Sequence, residues 1–583
     1  LTTNSILSIT YVTVLLFTEI AILSGKPLTR QETYMIWMVG GIFATGEQFF
    51  ISLLYNGYLA STHLMEYSVP IWFAPPLKIW SNRTFFNEQW SIVISVYLLS
   101  FVLYKIADLG ISLFCRELYI KQEKLPFPLA EIDLQTVLTL TDREKTRMNI
   151  FSVSAILGFI FAFLAYDFPM ITQATLGSPI VAIPIPWVDL NYYMELVVPG
   201  SSFGISTSPM SFASGLILPL NVIVSILAAS AALYLIGNPI MLKMGVWRQW
   251  LPGMNVADCL TQSVLHIWAP LIIGASIAAA ILPLVRRPGL LVRTFKSMRK
   301  VGFRQTEPGE ISPLLSLIMF FASTVLLCAL QIMLAPRFPF WIFVFFSIIW
   351  PFLLALYTSR GVGETGFSFA VPYVREGLTI AGTAMTGDLS AWFVPVYFPS
   401  AYNGNAVQWI KVGDMVGNKI TSYIKGYFFA LAVGLIMNFI YVQIFWWMST
   451  IPSYIFPATQ IYWPLNASYF KLWISGAFTI MNPTFLTSGA VVITIIYIVS
   501  ELLHIPISII GLAGGLFTPI PDAFTLLLGG LMGNFVFRRV FGATWWQKYR
   551  AVIVAGLYAG LAISVGIGAG FTVILRSMWA MRY

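Results

Sequence analysis

The stretch Ser312-Pro-Leu-Leu-Ser-Leu-Ile-Met-Phe-Phe-Ala-Ser-Thr-Val-Leu-Leu-Cys-Ala-Leu-Gln-Ile-Met-Leu334 holds no charged side chain. About 20 mostly apolar residues suffice to cross the hydrocarbon core of a bilayer. Just before it, residues 285–310 carry Arg286, Arg287, Arg293, Lys296, Arg299, Lys300 and Arg304 against only Glu307 and Glu310. A basic loop abutting an apolar span reads as a transmembrane helix that starts on the cytoplasmic side.

The rest of the chain repeats that pattern. Of 583 residues, 58% are hydrophobic and 10% charged, and the mean hydropathy is +0.80. An ordinary soluble protein is roughly a quarter charged. This composition excludes a soluble enzyme, a disordered chain and a nucleic-acid binder with a basic face. The net charge of +9 belongs to cytoplasmic loops that fix orientation. Cys115, Cys259 and Cys328, like His63, His266 and His504, are scattered, so no disulfide framework, zinc site or haem ligation is expected. The first apolar run, from Ile6, reads as a transmembrane helix and not a signal peptide.

The fold class expected is therefore all-α and polytopic. There are 13 clear spans, among them Ser211–Leu235, Ile505–Thr518 and Ala523–Phe537, and about 16 helices once broken or re-entrant segments are counted. Two membrane halves, 1–284 and 312–583, flank the basic linker 285–311 in a two-half repeat. Lys26, Arg30 and the charged segment 115–149 mark the inside, whereas 167–210 has no Lys or Arg and fits the outside. Those marks create a parity problem. Two spans between Tyr166 and Val285 would return the chain to the wrong side, so one extra crossing or half-crossing is missing, with Ile171–Trp187 and Ile236–Gln262 as candidates. The glycine- and proline-rich stretch 361–425 reads as a protein-buried hairpin of broken helices in preference to a surface excursion, since lipid-exposed irregular backbone costs several kcal/mol per unpaired group.

Three segments resemble the oligopeptide transporter superfamily, which includes peptide and metal-chelate carriers. The first is Gln122-Glu-Lys-Leu-Pro-Phe-Pro-Leu-Ala-Glu131. The second is Gln408-Trp-Ile-Lys-Val-Gly413, and the third Ile520-Pro-Asp-Ala-Phe-Thr525, followed by a glycine-rich helix ending at Arg538-Arg539. With Pro27–Glu32 and the proline-rich loop Val69–Trp80, they are similar to a prokaryotic and archaeal branch. The Asn-Pro-Gly signature of the peptide carriers is absent: the chain has Gly237-Asn-Pro239 and Asn482-Pro483 without the following glycine. The resemblance implies a secondary transporter working by alternating access and coupled to protons, with Gln408, Lys411 and Asp414 beside a substrate path in the second half.

Charges inside spans are costly, so each suggests either function or a partner. Glu47 reads as a proton carrier or as a packing hydrogen bond through Gln48. Lys105 and Asp108, three apart on one helix, read as a pair. Glu364, Arg375, Glu376 and Asp388 combine both signs among glycines, which suits a substrate with an ammonium and a carboxylate, or else forms a solvated loop. Glu501 and His504 read as an interfacial pair or a proton relay. Trp446-Trp447 and Trp545-Trp546 fit an interfacial belt, and Asn82 and Asn466 head glycosylation sequons in expected outer loops.

No phosphate-binding Gly-x-x-x-x-Gly-Lys-Ser/Thr and no Asp-x-Asp occurs. ATP hydrolysis and metal-dependent glycosyl transfer are thus disfavoured. The expectation is a transporter of a small peptide, metal chelate or related solute in the plasma membrane, not an enzyme, with no cofactor and no metal. Its partners would be membrane lipids and the solute, and no nucleic acid; a homo-oligomer is compatible. A non-catalytic subunit of a larger membrane complex is the alternative.

Overall fold

A computed structural model describes residues 2–45, 48–62, 69–286, 309–395, 402–476 and 482–580, with positions 289, 292 and 296. The protein is helical almost throughout. Among the described residues the exception is a two-stranded antiparallel ribbon, Val188–Asp189 with Gly204–Ile205. Ten helices among the described residues are long and apolar enough to cross a membrane. Their outward faces are apolar: Val153, Ile156 and Leu157 on one, Phe429 and Ile436 on another, Val491 and Ile495 on a third are all exposed. Such belts face lipid in a multi-pass membrane protein.

Ion pairs gather one end of the molecule. Arg30 binds Asp142 at 2.8 Å, and Arg143 binds Glu19. Arg116 bridges Glu310 and Asp414 at 2.6 and 2.7 Å, and Arg286 binds Glu501. This is the basic end. The 167–210 segment lies at the other.

The centre is built from two re-entrant hairpins. The first starts at Ser208, whose hydroxyl caps helix Pro209–Ile217. The chain then breaks at Leu218-Pro219, both extended, and returns as Leu220–Lys243. Proline lacks an N–H and pushes the residue before it out of helical geometry. The Leu218 amide still reaches the Ser214 carbonyl at 3.1 Å, so the break leaves no orphan there. In the second hairpin Ser508 caps Ile509–Gly515. A turn ending at Pro519 follows, and the chain returns as Ile520–Val540.

The hairpins lie side by side with opposite polarity. The Ser508 amide donates to Ser225 at 3.1 Å. Farther along, Ser230 and Tyr234 donate to the Thr518 and Leu516 carbonyls at 2.8 and 2.7 Å. The turn of the second hairpin therefore sits where the first begins and ends. Flanking spans are exchanged as well: Lys145–Ala162 packs on Ala543–Ala580, and Ala269–Arg286 packs on Pro483–Leu502. Each crossing relies on glycine. A Cβ on Gly560 would overlap the Ala155 carbonyl oxygen, and one on Gly274 that of Leu486. Reciprocal pairing of two span–hairpin–span units of opposite polarity is the arrangement of an inverted repeat.

This corrects three expectations. The missing half-crossing lies in neither Ile171–Trp187 nor Ile236–Gln262; it is inside Ser211–Leu235, which is a hairpin and not one span. Ile505–Thr518 is not a span either, since its helix is the short Ile509–Gly515. A single proline in a continuous apolar run hid the first break, because proline within a membrane helix is ordinarily tolerated. Residues 361–425 divide into the last turn of Trp350–Thr365, an amphipathic helix Val374–Thr386, and helix Tyr402–Met415. The last packs against Trp350–Thr365, Glu88–Cys115 and Ala130–Asp142.

Candidate transport path

The crossed hairpins separate two cavities. The one at the basic end has about 360 Å³ and is lined by Pro219 and Asn221 of the first turn, Ser508 at the start of the second hairpin, and Arg286, Arg360, Glu364 and Glu501. Arg360 binds Glu123 at 2.9 Å and Glu364 at 2.7 Å. Arg286 and Glu501 bridge from 256–286 to 483–502, the reciprocal span pair. Pro126 closes part of the rim. It belongs to the Leu125-Pro-Phe-Pro128 loop, where Lys124 and Phe127 hold positive φ of 58° and 46°. Such a backbone persists only when neighbours over-determine it. Here the buried Phe127 donates its amide to the Gly363 carbonyl at 2.9 Å. A Cβ on Gly363 would come 2.6 Å from Leu125.

The cavity at the other end is larger, about 720 Å³, and lies where both hairpins present helix N-termini. Ser206, Thr207 and Ser208 line it with Asp522, Tyr166, Gln173 and an apolar wall of Met170, Met210, Leu561 and Val565. Asp522 sits in the first turn of Ile520–Leu531 and accepts from the Ser211 hydroxyl at 3.3 Å.

Between the ends lie buried charges. Lys105 and Asp108 are both buried, but no ion pair joins them among the described residues. The Lys105 ammonium instead lies 5.5 and 5.2 Å from the Phe101 and Tyr104 ring centres, and one Asp108 oxygen has no hydrogen-bond partner. Spacing alone put them on one face; the aromatic rings took the ammonium. Gln408 donates to Asp133 at 2.6 Å. Asp133 lies on Ala130–Asp142, outside the ten spans, and burial pushes its carboxyl up to about 7, with the Gln408 bond opposing. Asp414 belongs to the Arg116–Glu310 clamp, where the Arg116 guanidinium holds the Glu310 carboxyl below its usual range. Lys411 is half-buried on the same helix as Gln408 and Asp414.

The remaining sequence candidates are dispersed. Arg375 and Glu376 line a third cavity of about 260 Å³ beside Trp350 and Tyr373, and Arg375 donates to the Trp392 carbonyl at 3.3 Å. Asp388 closes a local turn, accepting from the Ser390 amide and hydroxyl at 2.9 and 2.8 Å. Glu364 is thus in the basic-end cavity, apart from Arg375, Glu376 and Asp388. Glu47 lies outside the described residues. Glu501 pairs with Arg286 in place of His504.

Sequence reasoning passed over Arg116, Glu123, Arg360, Asp133, Asp167 and Asp522. Two signals were available: Asp522 stands inside Ile520–Thr525, and Arg360 follows an apolar span directly. Asp167 is 2% exposed. It accepts from the Ser564 hydroxyl and keeps one oxygen without a partner. Nothing in its local sequence marked it.

A helical multi-pass membrane protein with opposed re-entrant hairpins and cavities at both ends has the build of a solute carrier. The model of the OPT oligopeptide transporter protein family matches residues 2–572. The chain belongs to that family and is a transporter of the oligopeptide-transporter type. No curated protein matches it.

Proposed function

We propose that the protein is a secondary active transporter in the plasma membrane that carries a small peptide, metal chelate or related solute by alternating access, driven by protons. The observation that carries this reading is the pair of cavities at opposite ends of the molecule, separated by the turns and half-helices of the crossed hairpins. Discontinuous helices at a repeat interface are where transporters hold solute. The basic-end cavity is lined by the first hairpin's turn and the second's beginning, and the larger one by the first hairpin's beginning and the first turn of the second's return helix, so a tilt of one unit against the other opens one and closes the other.

The ion pairs at the basic end, Arg360 with Glu123 and Glu364, and Arg286 with Glu501, act as the latch for that side. Proton coupling falls to buried carboxylates that form no ion pair among the described residues, Asp108 and Asp133, with Gln408 reporting the state of Asp133. Glu47, Arg375, Glu376, Asp388, Lys411 and Asp414 complete the proposed path. The test uses proteoliposomes with labelled short peptides and metal chelates under an imposed proton gradient. Accumulation that collapses with an uncoupler is expected. Filling that ignores the gradient removes proton coupling, and failure of every solute to enter removes transport.

A further inference from the structure

The polar lining of the larger cavity is nearly all satisfied internally. Thr207 donates its hydroxyl to the Pro184 carbonyl at 2.6 Å, and Tyr166 donates to the Thr207 carbonyl at 3.2 Å. The Ser206 and Ser208 hydroxyls accept the Ser208 and Ser211 amides, both at 3.2 Å. Thr525 takes up the Ser206 backbone, accepting its amide at 3.1 Å. Asp522 differs. It is the one charged residue among those lining the cavity; the Ser206 and Ser211 side chains hydrogen-bond to it, the Ser211 contact being a long 3.3 Å and that hydroxyl also lying 3.0 Å from Ser208. A carboxylate can accept about four hydrogen bonds, so Asp522 has capacity left and faces open space.

Among the described residues no Lys or Arg lines this cavity. Residues 167–210 contain Asp167, Asp189 and Glu195 and no Lys or Arg. Asp189 and Glu195 are occupied with the Val256 and Gly253 amides at 3.0 and 2.8 Å. Across 167–260 the carboxylates Asp167, Asp189, Glu195 and Asp258 outnumber Lys243 and Arg248, so the field at this end favours cations. The remaining wall, Gln173 apart, is apolar, with Met170, Met210, Leu561 and Val565 among its residues, and the volume suits a small organic molecule.

We propose that the Asp522 cavity is a binding subsite for a solute bearing a protonated amine on an apolar body, with Asp522 as the residue that recognises the amine. The amine donates to the Asp522 carboxylate, and the apolar body lies against Met170, Met210 and Leu561. This rests on the transporter reading and narrows it to a solute class.

The experiment measures equilibrium binding to the purified full chain in lipid nanodiscs. The probes are radiolabelled leucyl-leucinamide, with a protonated amine, and N-acetyl-leucyl-leucinamide, without one. Wild-type protein is expected to prefer the amine by at least about tenfold, the scale of a hydrogen bond to a charged group. Asp522→Asn should reduce that preference to about one, and Asp522→Glu should retain it. Equal binding of both probes by wild type, no binding of the amine, or an undiminished preference in Asp522→Asn would overturn the proposal. The wild-type comparison decides even where a variant fails to fold. Binding needs no gradient, so amine preference without uptake would count against transport alone, and gradient-driven uptake without amine preference against this subsite alone.

Discussion

Arg116 shows how one residue can serve as a joint. Its side chain is 9% exposed and is held by Glu310 and Asp414, each about a fifth exposed. Removing a buried charge while its partners stay costs about 3–5 kcal/mol. Arg116→Met should therefore lower the thermal midpoint of the purified protein more than Glu310→Gln does; equal shifts would contradict the clamp. The pH response of Glu310 follows from its lowered carboxyl pKa. The folded state holds that proton less tightly than the unfolded state, so stability is present above the ordinary glutamate range and is lost as pH falls through the lowered value. Glu310→Gln should flatten the acid limb of a stability–pH curve below about 4.5. Asp133 has the opposite sign. Its folded carboxyl titrates near 7, so the folded state binds the extra proton and stability declines as pH rises from about 4 towards 7. Asp133→Asn should abolish that decline, read as thermal midpoint against pH.

Helix crossings depend on single atoms. Gly556 and Gly560 bring Ala543–Ala580 against Phe151 and Ala155, and Gly274 and Gly489 do the same for the reciprocal pair. Close backbone approach replaces the hydrophobic driving force that lipid cannot supply. Gly560→Val forces the helices apart and should cost about 1–3 kcal/mol, the range for overpacking, seen as a lower unfolding midpoint in detergent. Gly570, with nothing near its Cβ position, should accept the same change without loss. Gly-x-x-x-Gly spacing at 556–560 was readable, but which helix it met was not, because contact partners are set by assembly and not by local pattern.

For the whole molecule, the opposed hairpins predict a sided pattern of access. A cysteine at Ser208 should react with a membrane-impermeant thiol reagent from one side of sealed vesicles, and one at Asn221 from the other, in a background lacking Cys115, Cys259 and Cys328. Labelling of both from the same side would refute the first hairpin. The sequence by itself determined the membrane class, the basic end and the family resemblance. Those depend on composition, loop charge and short motifs, and each is a sum over residues or a local pattern. Two of the motif segments, Leu125–Pro128 and Ile520–Thr525, reach the two cavities through Pro126 and Asp522, which the sequence did not show. Only the tertiary structure decided that Ser211–Leu235 folds back at Pro219, that Arg286 takes Glu501 from His504, and that Asp522 stands as the uncompensated charge in the larger cavity. A break in an apolar run and the partner of a buried charge both depend on what packs opposite, which no window of sequence contains.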